Sequence, residues 1–268
     1  MTLLLTTSLR CHLRPCYASS SSFLSPISIR SFVTFSSASS SNISTETAEK
    51  ISAPENSHII VTYQRRNHEE KQQNDDPTML PTSGIVLWTL NRTSAANAIG
   101  RTMLSQLQSC IQQVQRDMEE DRVRCIILSS VSKKVFSAGA DLRERSTMTP
   151  IQASAYVSEL RDTFQLLANL PIPLIASVEG VAVGGGLELA LTADIIVAGS
   201  KSTFGLPETS LAIIPGAGGS VRLPRKIGMS RAKEMIFTAQ KINATTAYEY
   251  GLVEHVVEEG HTLDKSIE

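Results

Sequence analysis

Histidine is missing from the whole middle of this chain. The five histidines are His12, His58, His68, His255 and His261, so none falls between residues 69 and 254. No His-Glu-x-x-His pair occurs. A Ser-His-Asp hydrolase and a histidine-ligated metal enzyme are both poorly supported. Cysteine is as sparse. Cys11, Cys16, Cys110 and Cys125 form no Cys-x-x-Cys pair, so neither a zinc site nor a disulfide framework is suggested. Excess charge is lacking too. A net charge of −1 removes any global electrostatic case for nucleic acid or an acidic membrane. No uninterrupted apolar run is long enough to span a bilayer. The glycine-rich stretch Pro215-Gly216-Ala217-Gly218-Gly219-Ser220 lacks the third glycine of Gly-x-Gly-x-x-Gly and the Gly-Lys-Ser/Thr of a P-loop. A nucleotide-binding reading is excluded on that ground.

One more absence marks a boundary. No acidic residue precedes Glu46, while Arg10, Arg14, Arg30 and many serines fill the first 45 positions. Basic, hydroxylated and acid-poor sequence is the chemistry of an organellar transit peptide. We expect residues 1–45 to be such a segment, addressed to the mitochondrial matrix, with a plastid as the alternative. The neighbourhood Arg30-Ser31-Phe32 is the expected processing region. Residues 46–57 read as a linker, and residues 58–268 as one folded domain.

Within that domain strands and helices alternate, so the fold class is α/β. Ile59–Tyr63 and Gly84–Asn91 read as strands, joined by a charged, amide-rich loop with Pro77 and Pro81. A helix is expected from about Gly100 to Met118. Met103, Leu104, Leu107, Ile111 and Val114 give it an apolar stripe, which is simply a core-facing surface. Strands follow at Val123–Ser129 and Leu174–Val178, with a helix from about Ile151 to Leu170 between them. Pro171 and Pro173 end that helix. Another strand begins at Asp194. Helical segments are expected at Met229–Ala239 and Ala244–Tyr250, then a last strand within Gly251–Val257.

The stretch at 173–199 is the most informative. After its strand come Gly184, Gly185 and Gly186, then a helical run from Leu187 to Thr192. Glycines at a helix start expose backbone N–H groups that lack partners and carry positive potential. Glu188 sits in that first turn among apolar neighbours, where its carboxyl is expected to resist ionisation. A second acid, Glu208, follows Pro207 twenty residues on. Taken alone, each has a plain reading: a helix-dipole partner and a loop acid.

Three separated elements stand together. They are Ala138-Gly139-Ala140-Asp141-Leu142, Gly184-Gly185-Gly186-Leu187-Glu188-Leu189-Ala190, and Phe204-Gly205-x-Pro207-Glu208 leading to Ile214-Pro215-Gly216-Ala217-Gly218-Gly219. In this order and spacing the chain resembles the enoyl-CoA hydratase/isomerase (crotonase) family over about residues 58–257. Gly139-Ala140-Asp141-Leu142-Arg143-Glu144-Arg145 is most similar to its methylglutaconyl-CoA hydratase branch, with the general mitochondrial enoyl-CoA hydratases next. The resemblance implies a crotonase-like spiral of repeated ββα units and an acyl-CoA thioester substrate from fatty-acid or leucine breakdown. It also implies an oxyanion hole made by the backbone N–H groups of Ala140 and Gly185. Glu188 and Glu208 fall on the family's two catalytic glutamates. Glu208 is the expected proton donor to carbon, and Glu188 the group that orients and activates water. Ala140, Asp141, Leu142, Arg143 and Gly185 match the segments that meet CoA. Arg143 reads equally as a phosphate contact or as a solvated arginine, and Arg92 fits a phosphate contact more weakly. No metal or redox cofactor is implied.

Having both acids favours hydration over double-bond isomerisation, which needs only one. In the family a C-terminal helical region covers the acyl pocket and packs subunits into trimers and hexamers. This chain is expected to lack most of that region, as a truncated isoform would, and an inactive truncation product is one rival reading. Another is a crotonase-fold RNA-binding protein. The matching segment, Gln115-Arg116-Asp117-Met118-Glu119-Glu120-Asp121-Arg122, has several acids and no lysine, which counts against RNA.

Overall fold

The structure is a computed structural model that describes residues 49–50, 57–65 and 82–268. The expected transit peptide, most of the linker and most of the 64–83 loop lie outside the described residues.

Two sheets organise the fold. The larger has seven strands in the order β1-β2-β3-β4-β6-β8-β11. These are β1 (Glu49–Lys50), β2 (Ile59–Arg65), β3 (Thr82–Leu90), β4 (Cys125–Ser130), β6 (Leu174–Val178), β8 (Ile195–Gly199) and β11 (His255–Val257). Its β1–β2 and β2–β3 pairs are antiparallel, and every pair from β3 onward is parallel. The smaller has four strands in the order β10-β9-β7-β5: β10 (Lys241–Asn243), β9 (Thr203–Gly205), β7 (Val181–Val183) and β5 (Val135–Ser137).

The connectivity repeats. Strand β4 lies in the large sheet and β5 in the small one, and helix α3 (Pro150–Ala168) follows. Strand β6 is followed by β7 and then helix α4 (Gly185–Ala190). Strand β8 is followed by β9 and then helix α5 (Gly219–Ile227). Each pass adds one parallel strand to each sheet, which is the expected spiral of ββα units. Central strands in such a stack are covered on both faces and read as continuous apolar runs. Ile126, Ile127 and Leu128 of β4 are fully buried accordingly.

The helices follow from sequence in simple ways. Helix α1 (Arg101–Glu119) buries Met103, Leu104, Leu107, Ile111 and Val114, the whole expected stripe. Helix α3 opens with a capping box, Thr149 and Gln152 satisfying each other's orphan groups, and with Pro150 in its first turn. Its buried face carries Tyr156, Leu160, Phe164 and Leu167. Helix α6 (Met229–Thr238), helix α7 (Ala244–Tyr250) and the short α2 (Leu142–Ser146) complete the set, with α8 (Thr262–Ile267) after the last strand. Three features depart from the sequence reading. Helix α4 starts at Gly185 rather than Leu187, α5 and α8 were not expected, and the strands of the small sheet were implied by the ββα spiral but not located in the sequence.

Candidate active site

A cleft of about 1010 Å³ opens where the helical ends of the second and third repeats meet α2 and α3. Its wall includes Ala140 and Leu142 from the β5–α2 junction, Gly185 and Glu188 from α4, and Glu208 from a 3-10 turn, Pro207–Leu211. The Pro215–Ser220 turn closes one side. The three sequence motifs, spread from Ala138 to Gly219, thus converge on one space.

Two backbone N–H groups lie side by side there. Gly139 has φ +91°, a conformation open to glycine. A side-chain carbon at Gly139 would sit 2.8 Å from the Gly185 nitrogen, and one at Gly185 would sit 3.2 Å from the Ala140 nitrogen. Lack of a side chain is what lets the two loops approach. The neighbouring N–H groups are spent: Gly139 donates to the Ser137 hydroxyl, Asp141 to the Ile99 carbonyl, and Gly184 to the Gly205 carbonyl. The N–H groups of Ala140 and Gly185 have no hydrogen-bond acceptor among the described residues. Because α4 begins at Gly185, that N–H belongs to the helix's first turn, whose donors are free by construction.

The two carboxylates differ in environment. Glu188 is 3 % exposed. Its Oε1 accepts from the Ala217 N–H at 2.8 Å and the Gly219 N–H at 2.7 Å. Burial pushes its pKa up, opposed by those two N–H groups and by the charges of Arg222 and Arg161. Glu208 is also buried, and its Oε2 has no partner among the described residues. Burial, with the nearby charge of Glu188 added, pushes Glu208 up to about 7, against one hydrogen bond from its own backbone. Unpaired buried polar atoms are rare and call for an explanation, a catalytic role among them. The second carboxylate oxygen, Glu208 Oε1, faces the alpha carbon of Gly184, where a side-chain carbon would stand 3.1 Å away. The acid therefore stands next to the N–H pair.

The Ala140–Arg143 segment divides. Ala140 and Leu142 line the cleft. The Asp141 carboxylate instead caps α2, accepting from the N–H groups of Arg143 and Glu144, and pairs with Arg92 at 2.7 Å. Burial alone would raise its pKa, but the Glu144 N–H and Arg92 hold it below the usual carboxylate range. Arg92 also donates to the Ala98 carbonyl. Arg143 is exposed and outside the cleft wall, whereas Arg145 and Arg161 form part of it. Sequence reasoning missed Ala217, Gly219, Arg161 and Arg222 as neighbours of Glu188. The small residues of the Pro-Gly-Ala-Gly-Gly run were the available signal, since only small residues let a backbone close on a buried carboxylate. A side chain at Gly219 would come within 2.9 Å of Glu188 Cγ.

The enoyl-CoA hydratase/isomerase family model matches residues 81–268. The chain belongs to the enoyl-CoA hydratase/isomerase family. It is 46 % identical over 186 residues to a protein of Arabidopsis thaliana named "Probable enoyl-CoA hydratase 2, mitochondrial", covering 69 % of this chain and 61 % of that one. It is 45 % identical over 181 residues to the mitochondrial methylglutaconyl-CoA hydratase of Mus musculus, covering 68 % of this chain and 57 % of the mouse protein. The crystal structure of an enoyl-CoA hydratase from Bacillus anthracis superposes with a TM-score of 0.66 at 45 % identity, over 69 % of this chain and 70 % of that one. The crotonase-like spiral is therefore the fold of this family member. The chain spans about six-tenths of the length of the curated relatives it matches.

Proposed function

We propose that this chain adds water across the 2,3 double bond of a 2-enoyl-CoA thioester. The observation that carries the reading is the meeting, in one cleft, of two N–H groups without acceptors among the described residues and two buried carboxylates. Hydration of an enoyl thioester places negative charge on the thioester oxygen as the enolate forms. Two fixed donors from Ala140 and Gly185 stabilise charge where it develops, each such donor typically contributing on the order of 3 kcal/mol. Glu188 takes a proton from water as the oxygen adds to C3. The carboxyl of Glu208, protonated up to about pH 7, gives a proton to C2. Two acids with different partners, one held by two N–H groups and one with a buried oxygen unpaired among the described residues, suit this division of roles. Proton exchange between the acids and cleft water then restores both.

The reaction so written needs no metal or redox cofactor. The thioester's nucleotide end is assigned to the Ala140–Arg143 segment at the cleft edge. The relatives' names support an enoyl-CoA or methylglutaconyl-CoA substrate and a mitochondrial address; a place in fatty-acid or branched-chain amino-acid breakdown is part of the proposal. The family's trimeric or hexameric assembly is likewise a proposal for this chain. A substrate panel tests the reaction class. Crotonyl-CoA and 3-methylglutaconyl-CoA should lose their enoyl absorbance and yield 3-hydroxyacyl products. Conversion of 3-enoyl to 2-enoyl thioesters without hydration would instead make the chain an isomerase.

A further inference from the structure

We propose that Arg161 and Arg222 are positioning residues for Glu188, acting through the peptide units of the 215–219 turn. The inference rests on the reading of Glu188 as the water-activating acid. The C=O of Gly216 and the N–H of Ala217 belong to one peptide unit, and in a trans peptide they point in opposite directions. Arg161 Nε, on α3, donates to the Gly216 oxygen at 2.9 Å. The Ala217 N–H, at the other end of that unit, donates to Glu188 Oε1 at 2.8 Å. A guanidinium thus polarises the very peptide that grips the carboxylate, and hydrogen bonds in series strengthen one another.

Arg222, on α5, holds the next carbonyl. Its Nη1 donates to the Ala217 oxygen at 2.8 Å, and its Nη2 to Gln165 Oε1 on α3 at 3.2 Å. Gly219 begins the same helix and supplies the second donor to Glu188 at 2.7 Å. The turn, three of whose five residues are glycine, is therefore tied from outside at two consecutive carbonyls. Both N–H bonds to Glu188 among the described residues fall on Oε1, so Oε2 is left for the cleft. Among the described residues, the charged groups facing Glu188 are Arg222 on α5, Arg161 on α3 and Glu208 on the 3-10 turn. No arginine is needed to touch substrate in this account.

The test titrates Glu188 directly in the intact chain, by carboxyl carbon NMR on labelled glutamate, with Glu188→Gln to assign the signal. Arg161→Gln should raise the Glu188 midpoint by about half a pH unit, and the half-buried Arg222→Gln by about one. Arg161→Lys should recover most of the Arg161 shift. In hydration assays both glutamine variants should move the acid limb upward by the same amounts and lower kcat about five- to tenfold, with KM for the thioester unchanged. Arg161 is exposed, so Arg161→Gln alone decides if Arg222→Gln fails to fold. An unchanged Glu188 midpoint in folded Arg161→Gln overturns the proposal. Absence of hydration in the unsubstituted chain would sink the hydratase reading while leaving the titration result standing.

Discussion

Glu188 and Glu208 share a cleft but not a set of partners. Glu188 has two N–H donors and two nearby guanidinium charges. Glu208 has a buried oxygen with none among the described residues. This asymmetry has a cost in stability, because a carboxyl held to about 7 keeps its proton in the fold after the unfolded chain, near 4.5, has released it. The folded pKa is raised, so the unfolded state binds fewer protons between those values and stability falls as pH rises through that window. The loss is complete above about pH 7. Glu208→Gln cannot ionise and escapes it. Urea unfolding should find the variant more stable than the parent by about 2 kcal/mol near pH 8, with the difference vanishing near pH 4. Equal stability at both pH values would show that Glu208 ionises freely.

At the scale of elements, the N–H pair depends on α4 and the β5–α2 junction closing on each other. Gly139→Ala puts a methyl 2.8 Å from the Gly185 nitrogen in a positive-φ conformation. We expect it to destabilise the fold by about 1–3 kcal/mol and to lower hydration more than a hundredfold, since both donors shift. Near-parental hydration in Gly139→Ala would mean that the pair is not the oxyanion site. The sequence made the large elements legible. The α1 stripe, β6 and α7 stand as expected, because each is long enough to show its period or is bounded by clear stop signals. The small sheet was not legible, since four strands of three residues each show no alternation and exist only through partners distant in sequence. Helix α5 was hidden by Gly218, Gly219 and Pro224, which punctuate like a loop. The two acids were visible in the sequence. The arginine-held turn behind Glu188 was not, because no spacing rule links Arg161 to Gly216.

For the molecule as a whole, the last described segment is tied back to the centre of the large sheet. Glu179, at the corner between β6 and β7, accepts from the Gly260 N–H at 2.8 Å and the Thr262 hydroxyl at 3.0 Å. Ser177 of β6 adds a bond to the same threonine at 2.9 Å. Helix α8 packs on β6 and β8 through this pin. Glu179→Ala leaves the part-buried Gly260 N–H and the buried Thr262 hydroxyl without their acceptor. It should cost about 1–3 kcal/mol, and hydrogen exchange should quicken in β11 and α8 before the rest of the sheet. Uniform exchange across the large sheet would show instead that α8 opens only with the whole domain.

The proposed hydration rests on Glu188, Glu208 and the two N–H groups acting together on one carbon–carbon double bond. The most direct measurement incubates a 2-enoyl-CoA thioester with the chain in water enriched in heavy oxygen. Product mass then reports whether that oxygen enters at C3. The unsubstituted chain should yield labelled 3-hydroxyacyl-CoA. Glu208→Gln should bind the thioester as before yet form product at least about a thousandfold more slowly. Labelled product at near-parental rate from Glu208→Gln, or none from the unsubstituted chain, would contradict it.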